Sequence, residues 1–325
     1  MCLFLVLTVL AGPLDSPDVG PLVRALWLVQ RYGTPDALDP KNDQKVKAVL
    51  AKALAKDGVI TLEELGALMR PDTFRKLAGP DGSLDSDETV KALEASTPES
   101  RRKLFPKVRA HADYLTTTFD RIEPKHLEAG QTLARWIAKN HQPGKPLHVT
   151  VVCTGNSRRS VLGASMGNLA AAYYGMPEVR FHSGGTAPTA CNPRTVHALK
   201  AVGFEVEPTG EEAPRGEPKT ENPVYRVVWG EALETLEFSK RYGDASNPQE
   251  DFAALMVCSE ADEGCPFVKG ATLRVSMPYQ DPKIFDGSAY ETAKYAERLD
   301  DLGRLMLAVM VQAVAELPAR GSANR

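Results

Sequence analysis

The chain has 325 residues, 43% of them hydrophobic and 25% charged, an ordinary globular composition with enough length for one large core or two domains. A formal charge of −3 excludes whole-chain attraction to nucleic acid or to an anionic membrane, so an anionic substrate must be drawn by a local site. The five cysteines, Cys2, Cys153, Cys191, Cys258 and Cys265, are too few and too scattered for a disulfide scaffold, and an odd count with one close pair suits reactive thiols.

Within residues 1–20 stands an apolar run at 2–12 that is too short to span a bilayer. It has the length of a signal-peptide core but lacks a basic start and an Ala-x-Ala-like cleavage site, so a cytoplasmic location is expected, with export through a weak N-terminal signal as the alternative. No later stretch is apolar enough for a membrane span. Residues 21–107 read as a helical region, with Val46, Val49, Leu50, Ala53 and Leu54 at helical spacing. Two turns in it resemble each other: Asp57-Gly58 followed by Ile60 and Glu64, and Asp81-Gly82 followed by Leu84 and Glu88. These match late places of a calcium-loop template, whereas its early oxygen ligands are replaced by Ala53 and Ala55 in one copy and Leu77 and Gly79 in the other. The region therefore resembles a degenerate EF-hand pair that keeps its shape, and no metal ligand is assigned.

Residues 108–146 read as a helical connector, with Leu115, Phe119, Leu127, Leu133 and Ile137 on its buried face, ending at the break Gln142-Pro143-Gly144-Lys145-Pro146. From residue 147 to 316 the pattern alternates. Strands are expected at 147–152, 179–183, 252–258 and 271–275, and helices at 161–174, 193–202 and 289–316. Short β-branched runs alternating with helices predict an α/β fold, a doubly wound four-stranded parallel sheet flanked by helices. Residues 208–250, rich in Pro, Gly and charge, are read as an insertion in which Trp229, Phe238 and Tyr242 either cover a pocket or form a small core.

The chemistry concentrates in Cys153-Thr154-Gly155-Asn156-Ser157-Arg158-Arg159-Ser160. A loop that leaves a strand and enters a helix turns successive backbone N–H groups inward as an anion nest, and the helix N-terminus adds positive potential. Gly155 permits the backbone angles of such a curl, and Asn156 tolerates left-handed conformation. Arg159 can grip two oxygens of a tetrahedral oxyanion, and Arg158 adds positive charge. Cys153 at the centre of this field is the expected nucleophile, as the thiolate, with Ser160 donating to its sulfur. Thr154, Gly155, Asn156, Ser157, Arg158 and Ser160 are expected to form the substrate-binding wall.

These residues resemble the low-molecular-weight protein tyrosine phosphatase superfamily, which includes thioredoxin-coupled arsenate reductases. The resemblance covers roughly residues 147–315 and extends to Phe181-His182-Ser183-Gly184-Gly185-Thr186, Asn192-Pro193-Arg194 and Asp281-Pro282. It implies that Asp281 is the general acid, which must hold a proton to release a leaving oxygen; burial beside an anion site favours that form. It also implies a choice between two enzymes. A phosphatase hydrolyses a cysteinyl-phosphate with water. An arsenate reductase attacks the thiol–arsenate adduct with a second cysteine and closes a disulfide with a third. Cys258 and Cys265, with Ala261-Asp262-Glu263 between them and Pro266 after, resemble the reductases' resolving pair and favour arsenate reduction. No bound cofactor is then implied; thioredoxin or another thiol would be the reductant. A third reading is a non-catalytic oxyanion-binding module.

Overall fold

The computed structural model describes residues 20–216, 219–264 and 267–317. The apolar run at 2–12 and Cys265 lie outside them. None of the described helices is long and apolar enough to cross a membrane.

Among the described residues nine strands form three sheets. β1 (Ile60–Thr61) and β2 (Ser83–Leu84) make a two-residue ribbon; β3 (Leu147–Cys153), β4 (Val179–Gly185), β8 (Phe252–Met256) and β9 (Ala271–Ser276) make the main sheet; β5 (Glu205–Glu212), β6 (Pro223–Gly230) and β7 (Leu233–Glu237) make a third. The main sheet has the order β4-β3-β8-β9, all parallel. That is the expected α/β architecture. β3 is central and buried along its length except at His148, as both faces are covered by helices. The chain leaves β3 for β4 on one side and returns to β8 on the other. The crevice at the carboxyl ends of β3 and β8 is therefore the topological switch point, where ligands of such sheets bind.

The helix Arg159–Tyr173 is buried at every residue, consistent with its run of Ala, Gly, Leu and Met. The final helix, Glu291–Glu316, packs on it and on Pro124–Asn140. The helical connector therefore lies against the sheet domain, and one hydrophobic core runs from Val23 to Ala313 across the break at 142–146. At the junction Arg101 and Asp113 form a buried ion pair 3.1 Å long.

The two Asp-Gly turns are joined by the β1–β2 ribbon, in which Ile60 pairs with Leu84 and Thr61 with Ser83. Gly58 and Gly82 take left-handed φ of 80° and 78°, which the turns require. Both carboxylates at the late template place are engaged at helix ends: Glu64 closes a capping box with Thr61, and Glu88 with Asp85. Lys56 adds an ion pair to Glu64.

The insertion differs from the irregular segment its composition suggests. It starts earlier, at Glu205, and pairs into the antiparallel sheet β5-β6-β7. Pairing with β6 is regular from Glu205 to Pro208; Gly210, with a φ of 88°, stands in the irregularity between Pro208 and Glu212, after which β5 pairs again. Trp229 is buried beside Phe204, and its carbonyl accepts from the N–H of Phe105, so it belongs to the main core. Phe238 and Tyr242 line a separate groove behind the Cys153 loop rather than covering it.

Candidate active site

Cys153 is the last residue of β3 and Arg159 the first of the following helix, leaving 154–158 as the turn between them. The carbonyls of this turn are held outward by its neighbours. Cys153 O accepts from Thr186 N, Thr154 O from Ala187 N, Gly155 O from Thr189 N, and Ser157 O from Asn192 N, all within 3.1 Å. Ser239 Oγ from the insertion and Thr195 Oγ1 donate to Gly155 O and Ser157 O as well, at 2.9 and 3.0 Å. With the carbonyls engaged outside, the loop's N–H groups are left to face inward, the arrangement of an anion nest.

Asn156 makes the curl possible. It adopts a φ of 43°, a left-handed conformation that Asn tolerates better than most side chains. Its amide donates to Ser160 Oγ at 2.9 Å and Ser183 Oγ at 2.7 Å, and its carbonyl oxygen accepts from Lys240 N at 2.8 Å. Gly185 is needed behind it, because a Cβ there would stand 2.6 Å from Thr154 O and 2.9 Å from Asn156 N. Asn156 is thus a buried strut rather than part of the pocket wall.

Cys153 Sγ lies 3.1 Å from Ser160 Oγ. The Asn156 amide donates to that same oxygen, which leaves the Ser160 hydrogen available for donation to the sulfur. Arg159 is buried. Its Nη1 donates to Tyr279 O and its Nη2 to Asp281 Oδ2, each at 2.8 Å, while its Nε has no acceptor among the described residues. A buried donor of this kind calls for a partner, which an oxyanion supplies. Asp281 is not buried as its expected role suggested: its side chain is 28% exposed, and its second oxygen accepts from Lys283 N. The loop after β9 turns it toward the arginine at the pocket rim.

Cys153, Thr154, Gly155, Ser157, Arg158, Arg159 and Asp281 line one cleft of about 800 Å³, together with Glu260, Lys283 and Ile284. Asn156 and Ser160 lie beneath it. Arg158 borders the cleft, but its guanidinium donates to Tyr295 OH on the final helix at 2.6 Å and pairs with Asp286, which precedes that helix, at 3.3 Å, so much of its charge is already matched. Cys258 stands just past the end of β8, fully buried behind the wall, with Thr154 Oγ1 3.4 Å from its sulfur and the N–H of Ala261 donating to it at 3.4 Å. Burial pushes its thiol up, against the hydrogen bond from Thr154 and the charge of Arg159. Cys191 also lines the cleft, and burial raises its thiol to about 12, so it is held protonated. Thr189, Ser239 and Lys240 are structural parts of the site that the local sequence did not reveal; they reach the loop from 34 to 84 residues away in the chain.

A thiol in an anion nest, an arginine with a free buried donor and a carboxyl group at the rim are the parts needed for attack by sulfur on a tetrahedral oxyanion. No protein-family model matches this chain, nor does any curated protein. Among solved structures it is similar to the thioredoxin-dependent arsenate reductase Cg_ArsC1' of Corynebacterium glutamicum, with a TM-score of 0.30 and 15% identity, over 68% of this chain and 87% of that one.

Proposed function

We propose that this protein is a thiol-dependent arsenate reductase. The observation that carries the reading is the meeting of Cys153, Ser160, Arg159 and Asp281 at one crevice, with a second sulfur, that of Cys258, in contact with Thr154 of the same loop. Among the described residues lining the cleft none is Phe, Tyr or Trp, so an aryl ester finds no ring to stack on, while a small inorganic oxyanion needs none.

In this reading Cys153 sulfur attacks arsenic(V) while the loop amides and Arg159 hold the remaining oxygens. The oxyanion takes Arg159 from Asp281, leaving that carboxyl group beside an anion, the setting in which it holds a proton and gives it to the departing oxygen as water leaves. Cys258 then attacks the Cys153 sulfur. A Cys153–Cys258 disulfide forms, two electrons pass to arsenic, and arsenite leaves. Cys265 attacks Cys258, frees Cys153, and the resulting disulfide is reduced by thioredoxin or another dithiol from the cytoplasm. The helix Ser259–Gly264 covers Cys258 and must move for these exchanges. The paired Asp-Gly turns are in our reading a packing module descended from an EF-hand-like pair.

Phosphomonoester hydrolysis is the second reading. The complete burial of Cys258 favours it, since a covered thiol is slow to form the attacking thiolate. Protein incubated with thioredoxin, thioredoxin reductase and NADPH separates the two. Arsenate-dependent NADPH oxidation is expected, and Cys258→Ser should reduce it to background while leaving any hydrolysis of p-nitrophenyl phosphate in place. An unchanged NADPH rate in that variant rules out the three-cysteine route; aryl phosphate turnover with no arsenate-dependent oxidation in the wild type selects the phosphatase.

A further inference from the structure

The loop that carries Asp281 leaves β9 with two backbone bonds, Met277 N to Met256 O and Tyr279 N to Val257 O. From there the carbonyls of two consecutive residues are held by side chains. Tyr279 O accepts from Arg159. Pro278 O bonds His126 Nε2 at 2.9 Å, and because a carbonyl only accepts, that nitrogen carries the hydrogen. The His126 ring also stacks on Tyr279, with centroids 4.0 Å apart, and the Arg298 guanidinium lies 5.2 Å from the same Tyr279 ring. His126 comes from the helix Pro124–Asn140, ahead of the sheet, and is 3% exposed. That helix is fixed in turn: Leu127, Leu133 and Ile137 are in the core, and Gly130 sits directly against Leu305 of the final helix.

We propose that His126 is a positioning residue for the reaction: it clamps the Pro278–Tyr279 backbone and so fixes Asp281 over the substrate's leaving oxygen. The helical segment ahead of the sheet is then part of the active site rather than an appendage. No element of the main sheet supplies this contact, and Asp281 lies only three residues beyond the clamped carbonyl. A loop so held keeps its carboxyl group within reach of the leaving atom; a slack one does not, and displacements of about an ångström cost proton transfer heavily.

The inference rests on the oxyanion reading above, and specifically on Asp281 as proton donor. Its test is the dependence of rate on the leaving group, compared between p-nitrophenyl phosphate, whose phenolate departs without a proton, and phenyl phosphate, whose phenolate needs one. Asp281→Asn sets the scale, with a large loss on phenyl phosphate and a small one on the nitro ester. His126→Phe keeps a ring against Tyr279 and removes the donor. It should lower kcat/KM on phenyl phosphate by about tenfold and on p-nitrophenyl phosphate by about twofold or less. His126→Gln, whose amide can again donate to Pro278 O, should recover most of the phenyl phosphate rate. Equal losses on both esters in His126→Phe, or no loss on either, or a Gln variant as impaired as the Phe variant, overturns the clamp. If the wild type reduces arsenate but hydrolyses neither ester, the same comparison is read on arsenate-dependent NADPH oxidation with thioredoxin in excess. There His126→Phe should fall about tenfold, in line with Asp281→Asn, and His126→Gln should recover, while an unaffected His126→Phe overturns the clamp. A wild type inert toward both esters and toward arsenate overturns the oxyanion reading and the clamp with it.

Discussion

Arg159→Lys is expected to lower kcat/KM by about 10²- to 10³-fold for any oxyanion the protein processes, with little change in thermal stability. The guanidinium has three sets of donors in use or available: Nη1 to Tyr279 O, Nη2 to Asp281, and Nε, buried and without an acceptor among the described residues. A lysine ammonium is a point donor on a flexible stem. It can keep the charge but cannot hold the acid loop and two oxyanion atoms in one plane. In the proposed chemistry the loss should fall on kcat more than on KM, because there the fork would align the oxyanion for attack by Cys153 as well as attract it. Steady-state kinetics on the lysine variant, with circular dichroism to establish its fold, check this.

Asp113→Ala is expected to destabilise the fold by about 3–5 kcal/mol. Asp113 and Arg101 are both almost completely shielded from water, with side chains 4% and 1% exposed. Tyr173 OH donates to the same carboxylate oxygen at 2.7 Å, and burial keeps that phenol protonated and able to donate. The Arg101 guanidinium lies 5.1 Å from the Trp27 ring and 4.8 Å from that of Tyr173. Removing the carboxylate takes from the buried guanidinium its ion pair with Asp113, and cation–π contacts of about 1–2 kcal/mol do not replace that pair. The cluster ties the helix Pro21–Tyr32 and the 97–113 segment to the end of the helix that begins at Arg159, so the loss should register as global unfolding. Urea unfolding of Asp113→Ala beside Asp113→Asn measures it, with the Asn variant expected to lose less because it still accepts from Tyr173.

The loop was legible because the residues that form its turn and carry its chemistry are contiguous in the chain. A thiol at a strand end, Gly and Asn in the curl, then Arg and Ser at a helix start stand together, and backbone preference favours the curl that the distant contacts then hold. Asp281 was legible only through the short Asp-Pro motif, and its partial exposure was not, since that depends on a loop packed against a distant helix. Ser239, Lys240 and His126 left no local trace. They act on the site across separations of 84 and 152 residues, through contacts that no periodicity encodes. The sheet of the insertion was hidden for a different reason: Glu205–Glu212 is a poor strand by composition, and only pairing with β6 makes it one. The break at 142–146 is a true turn, yet the core runs through on both sides of it because Pro124–Asn140 finds its apolar partner in the final helix. Arg158 shows the limit of charge counting, as Asp286 and Tyr295, both from the C-terminal end of the chain, engage it.

The central proposal is that Cys153 is the nucleophile of an oxyanion-binding loop, and selective alkylation tests it most directly. Iodoacetate, an anion, should modify Cys153 faster than neutral iodoacetamide does, the reverse of their order with a free thiol, and millimolar arsenate or phosphate should slow that modification. Mass spectrometry of the digested protein would assign the label. Preferential labelling of Cys153 by iodoacetate with oxyanion protection is the predicted result; faster labelling by iodoacetamide, with no effect of arsenate or phosphate, would contradict the account.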